Sequence, residues 1–482
     1  MAVFCAITLL CVVSIQAHAG TITVTNTNDS GSGSLRQALI DAQDGDTIAF
    51  DFSLPATISL TSGELIINNN ISLIGPGANL LTIARAKGAQ SFRIFHVSPS
   101  HAVTVESVTI SNGSPFDFVI GGAGVWNDHS DLTVNNCVVI GNAVDRQVSG
   151  GGISNDGGFS GSASLTINNS VIAGNNLGTG GTINFGGGIY NYGLGGTATL
   201  TINNSTISGN QSFQGGGLFT DGGVPGSIAV VTINNSTFSG NFADQLAGGI
   251  VNEGNEGGQA TVTVTNSTFA GNTSNVLGGA IFNDGTRPGG AFFEMGNTIF
   301  KGDLTTQGNI YNQGGVVISD GYNITNDAGV LNTNNGVGGF DGPGDQINTD
   351  SLLGPLQDNG GPTFTHALLP GSPAIDTGDP KFTPPPFFDQ RGPGFDRVVN
   401  SRIDVGSFEV QASTPTPTPT ATAIATATAT PTATSTPTAT STATATPSAT
   451  ARPSPTPRLL PSPRPRPTLP PRPLLDALRH LL

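Results

Sequence analysis

The sequence predicts an all-β fold: a single-stranded right-handed parallel β-helix (solenoid) with an N-terminal cap and a disordered Thr/Pro-rich C-terminal tail. Three observations predict it. A unit of about 31 residues recurs through the middle of the chain, each unit holds three short stretches of period-2 hydrophobicity, and no helical period interrupts it. The composition agrees. With 68 Gly, 10% charged and 6% aromatic residues, the chain is too polar for a helical bundle, yet too rich in Ile, Val and Phe to stay unfolded.

The first element is a targeting segment over residues 1–19. Ala2 to Ile15 is an almost unbroken apolar run, and Ala17-His18-Ala19 supplies the small-x-small form of a signal-peptidase site. The run is shorter than the roughly 20 residues that span a membrane, so the mature chain is expected to be secreted, without a membrane span. Cleavage removes Cys5 and Cys11 and leaves Cys137 unpaired, so stability must come from stacking and hydrogen bonding.

Residues 20–101 form the expected cap and first coils. Thr21-Ile-Thr-Val-Thr25 alternates as a strand, and Ser34 precedes a short helix-compatible stretch ending near Ile40, which should cover the first coil. Asp46–Phe50, Thr57–Leu60, Glu64–Ile67 and Ile71–Ile74 are the early strands, although their spacing falls outside the later repeat.

The regular repeat occupies residues 102–335. Segments beginning at Leu132, Leu165, Leu200, Val231, Val262 and Phe293 align without gaps, as in Leu200-Thr-Ile-Asn-Asn-Ser205, at steps of 33, 35, 31, 31 and 31 residues. Each opens with an alternating strand and turns at an Asn pair. A second strand then carries one inward residue from the series Val139, Ile172, Ile207, Phe238, Phe269, Phe300. Gly-Asn bends the chain again, a variable loop follows, and a third strand such as Gly186–Asn191 closes the coil. With coils about 4.8 Å apart, equivalent residues form columns, and the Asn columns are expected to hydrogen-bond along the bends. Cys137 falls in the column of Ser170, Ser205, Ser236, Ser267 and Thr298, which makes it a small buried residue and not a nucleophile. The sequons at Asn168, Asn203 and Asn234 are by-products of the bend.

Residues 336–410 form a Pro- and Gly-rich region expected to cap or cover the last coils. Residues 411–473 are Thr/Pro/Ala and then Arg/Pro low-complexity linker, and residues 474–482 have the pattern of a short helix.

The formal net charge is -15, and six Arg against one Asp beyond residue 450 leave -20 on the rest. Such a body disfavours nucleic acid and anionic membranes as partners. It is expected to be a monomer that meets an extracellular glycan or another surface protein. The chain lacks Asp-Asp and Gly-His-Gly, and Arg146, Arg287 and Lys301 do not align in the repeat, so no catalytic residues are assigned.

One acidic column follows the third strand: Asp128, Asp156, Asp221, Glu253 and Asp284, with Tyr192 and Gln313 in the same slot. The functional reading is a carboxylate ladder for Ca²⁺ or a cationic glycan; no other cofactor is expected. The competing reading is turn chemistry, in which the Gly of Asn-x-Gly supplies a positive φ, and Tyr192 and Gln313 favour it. His96, His101, His129 and His366 are spaced too irregularly to imply a metal site and are read as loop or surface residues.

Four C-terminal motifs are distinctive: Leu353–Thr363, Leu369–Gly378, Asp389-Gln-Arg-Gly392 and Asp404–Glu409. With the opening Thr25–Leu39, they resemble bacterial extracellular parallel β-helix proteins of the choice-of-anchor Q group. That resemblance spans roughly residues 20–410 and implies an exported or surface protein whose C-terminal block precedes an anchoring tail. It brings no catalytic residues. This chain departs from the pattern in ending on Thr-Pro and Arg-Pro runs without a sorting signal. The repeats are also similar to those of polysaccharide lyases and polygalacturonases, an analogy of fold alone. The resulting expectation is a secreted or cell-surface module with a structural, adhesive or ligand-binding role; the alternative is a polysaccharide-active lyase or hydrolase.

Overall fold

A computed structural model describes residues 19–115, 121–143, 149–177, 184–286, 289–302 and 308–411. The signal segment up to residue 18, Arg146, Arg287, the linker from residue 412 and the terminal 474–482 segment lie outside the described residues. Three long sheets run the length of the fold: sheet A with twelve strands, sheet B with ten and sheet C with ten. One coil shows the order. Thr197–Asn203 lies in sheet A, Thr206–Ser208 in B and Leu218–Asp221 in C, and Ile228–Asn234 then returns beside Thr197–Asn203. Neighbours within each of the three sheets pair in parallel, giving a single-stranded parallel β-helix. Among the described residues no helix is long and apolar enough to cross a membrane.

The six aligned segments stack in one register: Leu132, Leu165, Leu200, Val231, Val262 and Phe293 are successive partners in sheet A. In sheet B the inward column runs Ile58, Ile83, Ile110, Val139, Ile172, Ile207, Phe238, Phe269, Phe300, every member buried. The Phe238 and Phe269 rings stack at 4.9 Å, those of Phe269 and Phe300 at 5.2 Å, and Phe340 meets Phe300 edge-on as the column ends.

The Asn pair at the A–B bend divides its work. The second member, at 136, 169, 204, 235, 266 and 297, takes φ near +50°, a conformation Asn tolerates better than most residues. Directly after it, the hydroxyls of Ser170, Ser205, Ser236, Ser267 and Thr298 each accept the backbone N–H of the preceding coil's equivalent residue. Cys137 begins that column, buried, and desolvation pushes its thiol up to about 12. At the next bend Asn142, Asn175, Asn210, Asn241 and Asn272 form a buried ladder. Each of the first four side-chain amides donates to the next Oδ1 at 2.8–3.0 Å and to a carbonyl of the previous coil, and Asn272 at the end donates to Phe238 O. The polar columns are therefore interior structure, satisfying groups that would otherwise be buried without partners.

The early strands pair in the same sheets as the repeats even though their sequence pattern differs. Thr21, Thr47, Ser72, Thr104 and Thr133 are consecutive in one column of sheet A. The helix Leu35–Asp41 is capped by the Ser34 hydroxyl, which accepts from Gln37 N, and it buries Leu35, Ala38 and Leu39 in the core.

Residues 351–411 lie along the outer face of sheet B. Thr206 Oγ1 donates to Phe364 O, Thr237 Oγ1 to Gln390 Oε1, and Ser407 N to Thr268 Oγ1. The motif residues hold this block together. Asp389 pairs with Arg391 at 2.6 Å, and the Arg391 guanidinium is sandwiched between Phe395 and Phe408 at 3.9 and 3.8 Å. His366, expected at the surface, is instead buried between Ser239 Oγ and Gly354 O, because the block presses that strand onto sheet B.

Candidate functional site

The outer face of sheet C carries two columns, since every second residue of each strand points away from the core. The first column runs His96, Trp126, Ser154, Tyr190, Phe219, Val251, Phe282, Tyr311; the second runs Asp128, Asp156, Tyr192, Asp221, Glu253, Asp284. Over the later coils this face is covered. Phe185, Leu246 and Leu277, from the connections between sheets B and C, pack on Tyr190, Phe219, Val251 and Phe282. Those connections also pair with one another, as Gln211–Gln214, Phe242–Leu246 and Thr273–Ser274 form a small sheet of their own.

The five predicted acidic residues divide accordingly. Asp221 accepts from Tyr190 Oη at 2.8 Å and from Gly223 N, Glu253 accepts from Asn255 Nδ2 at 2.8 Å, and Asp284 accepts from Thr286 N and Oγ1. Burial pushes the Asp284 carboxyl up from its ordinary value. These three are engaged with their own turns. Of the glycines that follow the slot, Gly314 has the expected positive φ of 71°, but the earlier ones act differently. Gly157, Gly193, Gly222 and Gly254 do not have positive φ; a Cβ there would approach a carbonyl of the next coil to 1.8–2.5 Å. Close backbone approach, not left-handed geometry, requires glycine at these positions.

Asp128 and Asp156 belong to a separate cluster at the N-terminal end of the face. The His96 and Trp126 rings stack at 4.2 Å, and Arg93 lies over the indole at 4.6 Å with its Nε 3.5 Å from Glu64. His96 faces Glu64 through Nδ1 at 3.6 Å and Asp128 through Nε2 at 3.3 Å. Trp126 Nε1 donates to Asp156 Oδ2 at 3.3 Å, and Gly158 N donates to its Oδ1. His129 Nδ1 lies 2.5 Å from Asp128 Oδ1, while its Nε2 donates to Gly158 O at 2.9 Å. One ligand-type atom from each of Asp128, His129 and Asp156 falls within 4.8 Å of the other two. Part of the cluster reaches solvent: the Glu64 and His129 side chains are 28% and 27% exposed.

The electrostatics follow from the packing. Desolvation opposes charge on Asp128, but hydrogen bonds from His96 and His129 outweigh it and hold the carboxyl below its ordinary value. Asp156 is pushed up, by burial first. Both histidines are raised, because facing carboxylates outweigh their burial. Another acidic group, Asp376, Asp404 and Glu409, lies in the C-terminal block. There Asp404 accepts from Asp376 N and Val410 N, and Glu409 from Asp404 N, which makes it part of that block's scaffold.

Sequence reasoning placed Asp128 and Asp156 in one column and missed Glu64, Arg93, His96, Trp126 and His129 as their companions. The available signal was coil-length spacing: His96 and Trp126 are direct register partners, and Asp128 lies two residues beyond Trp126.

No family model matches this chain, and no curated protein matches it either. Among solved structures it is similar to pectate lyase Pel9A, with 12% identity over 81% of this chain and 96% of that one, at a TM-score of 0.44. No residue role is carried over from that likeness.

Proposed function

We propose that the chain is an exported, extracellular or cell-surface β-helix module that binds a glycan at the N-terminal end of the outer face of sheet C. The observation that carries this reading is the stacked His96–Trp126 pair, partly exposed and ringed by Arg93, Glu64, Asp128 and Asp156. An aromatic face beside fixed polar groups suits saccharide rings, which offer apolar C–H faces and hydroxyl edges. Rigid strands hold these groups, so little ordering accompanies binding. Export rests on the apolar run and Ala17-His18-Ala19, and attachment through the Thr/Pro-rich linker remains part of the proposal.

The test is a binding panel of neutral, acidic and amino-sugar polysaccharides, with the secreted protein and its Trp126→Ala variant. Binding that Trp126→Ala weakens at least tenfold, at unchanged thermal stability, supports the reading. Equal binding by both proteins, or none across the panel, refutes it. A polysaccharide-active enzyme is the second reading, favoured by the proximity of Asp128 and Asp156 on adjacent coils. Reducing-sugar release or unsaturated product that disappears in Asp156→Asn would establish it instead.

A further inference from the structure

We infer that Asp128, His129 and Asp156 form a divalent transition-metal site of the zinc type, not the Ca²⁺ ladder that the acidic column suggests. The argument starts from His129. Its Nε2 faces the carbonyl oxygen of Gly158 at 2.9 Å, and a carbonyl only accepts, so Nε2 carries the proton. Its Nδ1 meets Asp128 Oδ1 at 2.5 Å, a hydrogen bond that needs one proton between the two atoms. A divalent ion bound here would take the place of that proton, with the two ligand atoms moving apart.

The surroundings supply the other ligands and their supports. Asp156, on the next coil, brings a carboxylate to the same point, with all three ligand-type atoms within 4.8 Å of one another. Ligands at about 2.0–2.1 Å from a tetrahedral Zn²⁺ sit about 3.3 Å apart, so modest side-chain rotation brings the set to that geometry. Partners outside the set already orient it as metal ligands are usually oriented. His96 Nε2 faces Asp128 Oδ2, Trp126 Nε1 donates to Asp156 Oδ2, and Gly158 O fixes the imidazole. The ring also rests against Gly161, where a Cβ would come within 1.9 Å of His129 Cδ2, so the next coil is shaped around it. One imidazole with two carboxylates suits Zn²⁺ or a similar borderline ion, whereas Ca²⁺ takes six to eight oxygen ligands. Three protein ligands and a partly exposed edge leave one position for water or a ligand atom.

This inference is independent of glycan binding. The test uses the untagged, full secreted chain, stripped with chelator and titrated calorimetrically with ZnCl₂ and, separately, CaCl₂, with bound metal counted by atomic emission. One equivalent of zinc, bound at least tenfold tighter than calcium, is expected. His129→Gly keeps the turn, whose φ of 50° glycine adopts freely, and removes the donor; Asp156→Asn keeps the shape and removes a charge. Each should lower zinc affinity at least tenfold while thermal unfolding of the stripped protein changes little. Absence of stoichiometric uptake, uptake that survives both substitutions, or a preference for calcium overturns the assignment. Glycan binding repeated in chelator separates the two proposals: loss there with metal uptake intact couples them, and persistence leaves each to its own test.

Discussion

Replacing Phe269 by Ala tests the stacked core most severely. The ring is 1% exposed and lies between Phe238 and Phe300, with centroid distances of 4.9 and 5.2 Å and interplanar angles of 13° and 21°. Truncating a buried Phe to Ala typically costs about 3–5 kcal/mol in lost transfer energy and cavity formation. Two aromatic partners lost together, at about 0.5–1.5 kcal/mol each beyond area, place this site near 4–8 kcal/mol. The coil cannot collapse to fill the gap, because the backbone above and below is fixed by parallel pairing of residues 237–239, 268–270 and 299–301. Phe269→Leu should cost less than half as much. Phe292, 39% exposed on the outer face of sheet A, is the control, and Phe292→Ala should stay within about 0.5 kcal/mol. Urea unfolding followed by far-ultraviolet circular dichroism reads all three through the midpoint at constant slope. A loss below about 1.5 kcal/mol for Phe269→Ala, or equal losses at 269 and 292, would refute the inward column.

Two further outcomes follow from the polar interior. Asn210→Ala removes the acceptor of Asn175 N and Nδ2 and the donor to Asn241 Oδ1 and Ile172 O, all buried; it should cost about 2–4 kcal/mol. Asn203→Ala, on the partly exposed ladder, should cost less than half that, with urea midpoints as the measure. Burial holds the folded His366 below the ordinary histidine value, so the unfolded chain binds its proton more readily. Its contribution is present above about pH 6.5 and is lost as pH falls towards the folded value. Wild type should therefore lose stability below that pH in thermal melts, and His366→Gln should flatten this part of the profile.

Much of the fold is written in residue spacing. Leu200, Val231 and Val262 recur at one step because their coils have loops of equal length, so sequence register and structural register coincide. Thr47, Ser72, Thr104 and Thr133 also stack directly, but their connections vary in length and the pattern is lost although the pairing is not. The course of residues 351–411 along sheet B was not legible, because its contacts are single hydrogen bonds such as Thr237 to Gln390, across 153 positions and without a periodic signature. The glycine after Asp156, Asp221 and Glu253 was legible as a requirement, but its cause lies in the approach of the following coil, which one strand alone does not reveal.

The site was hidden for a related reason. Sheet C presents the same two outward columns along its length, and their meaning depends on what lies over them. Over Tyr190, Phe219, Val251 and Phe282 the connections from sheet B bring Leu246 and Leu277, so the face becomes a second small core and the acids beside it are tied into turns. At His96 and Trp126 the column changes to groups that stack and carry polar edges, and the turn from sheet C to sheet A shortens to His129-Ser130. In the following coils residues 157–161, 193–196, 222–227 and 254–258 fill that connection, with glycine directly after the strand; here the residue after the strand is a histidine at φ 50°. A left-handed position is ordinarily given to Gly or Asn. The tight turn therefore fixes an imidazole between two carboxylates where the repeat otherwise places no side chain, and that local break in the repeat, more than the acidic column, marks the chemistry.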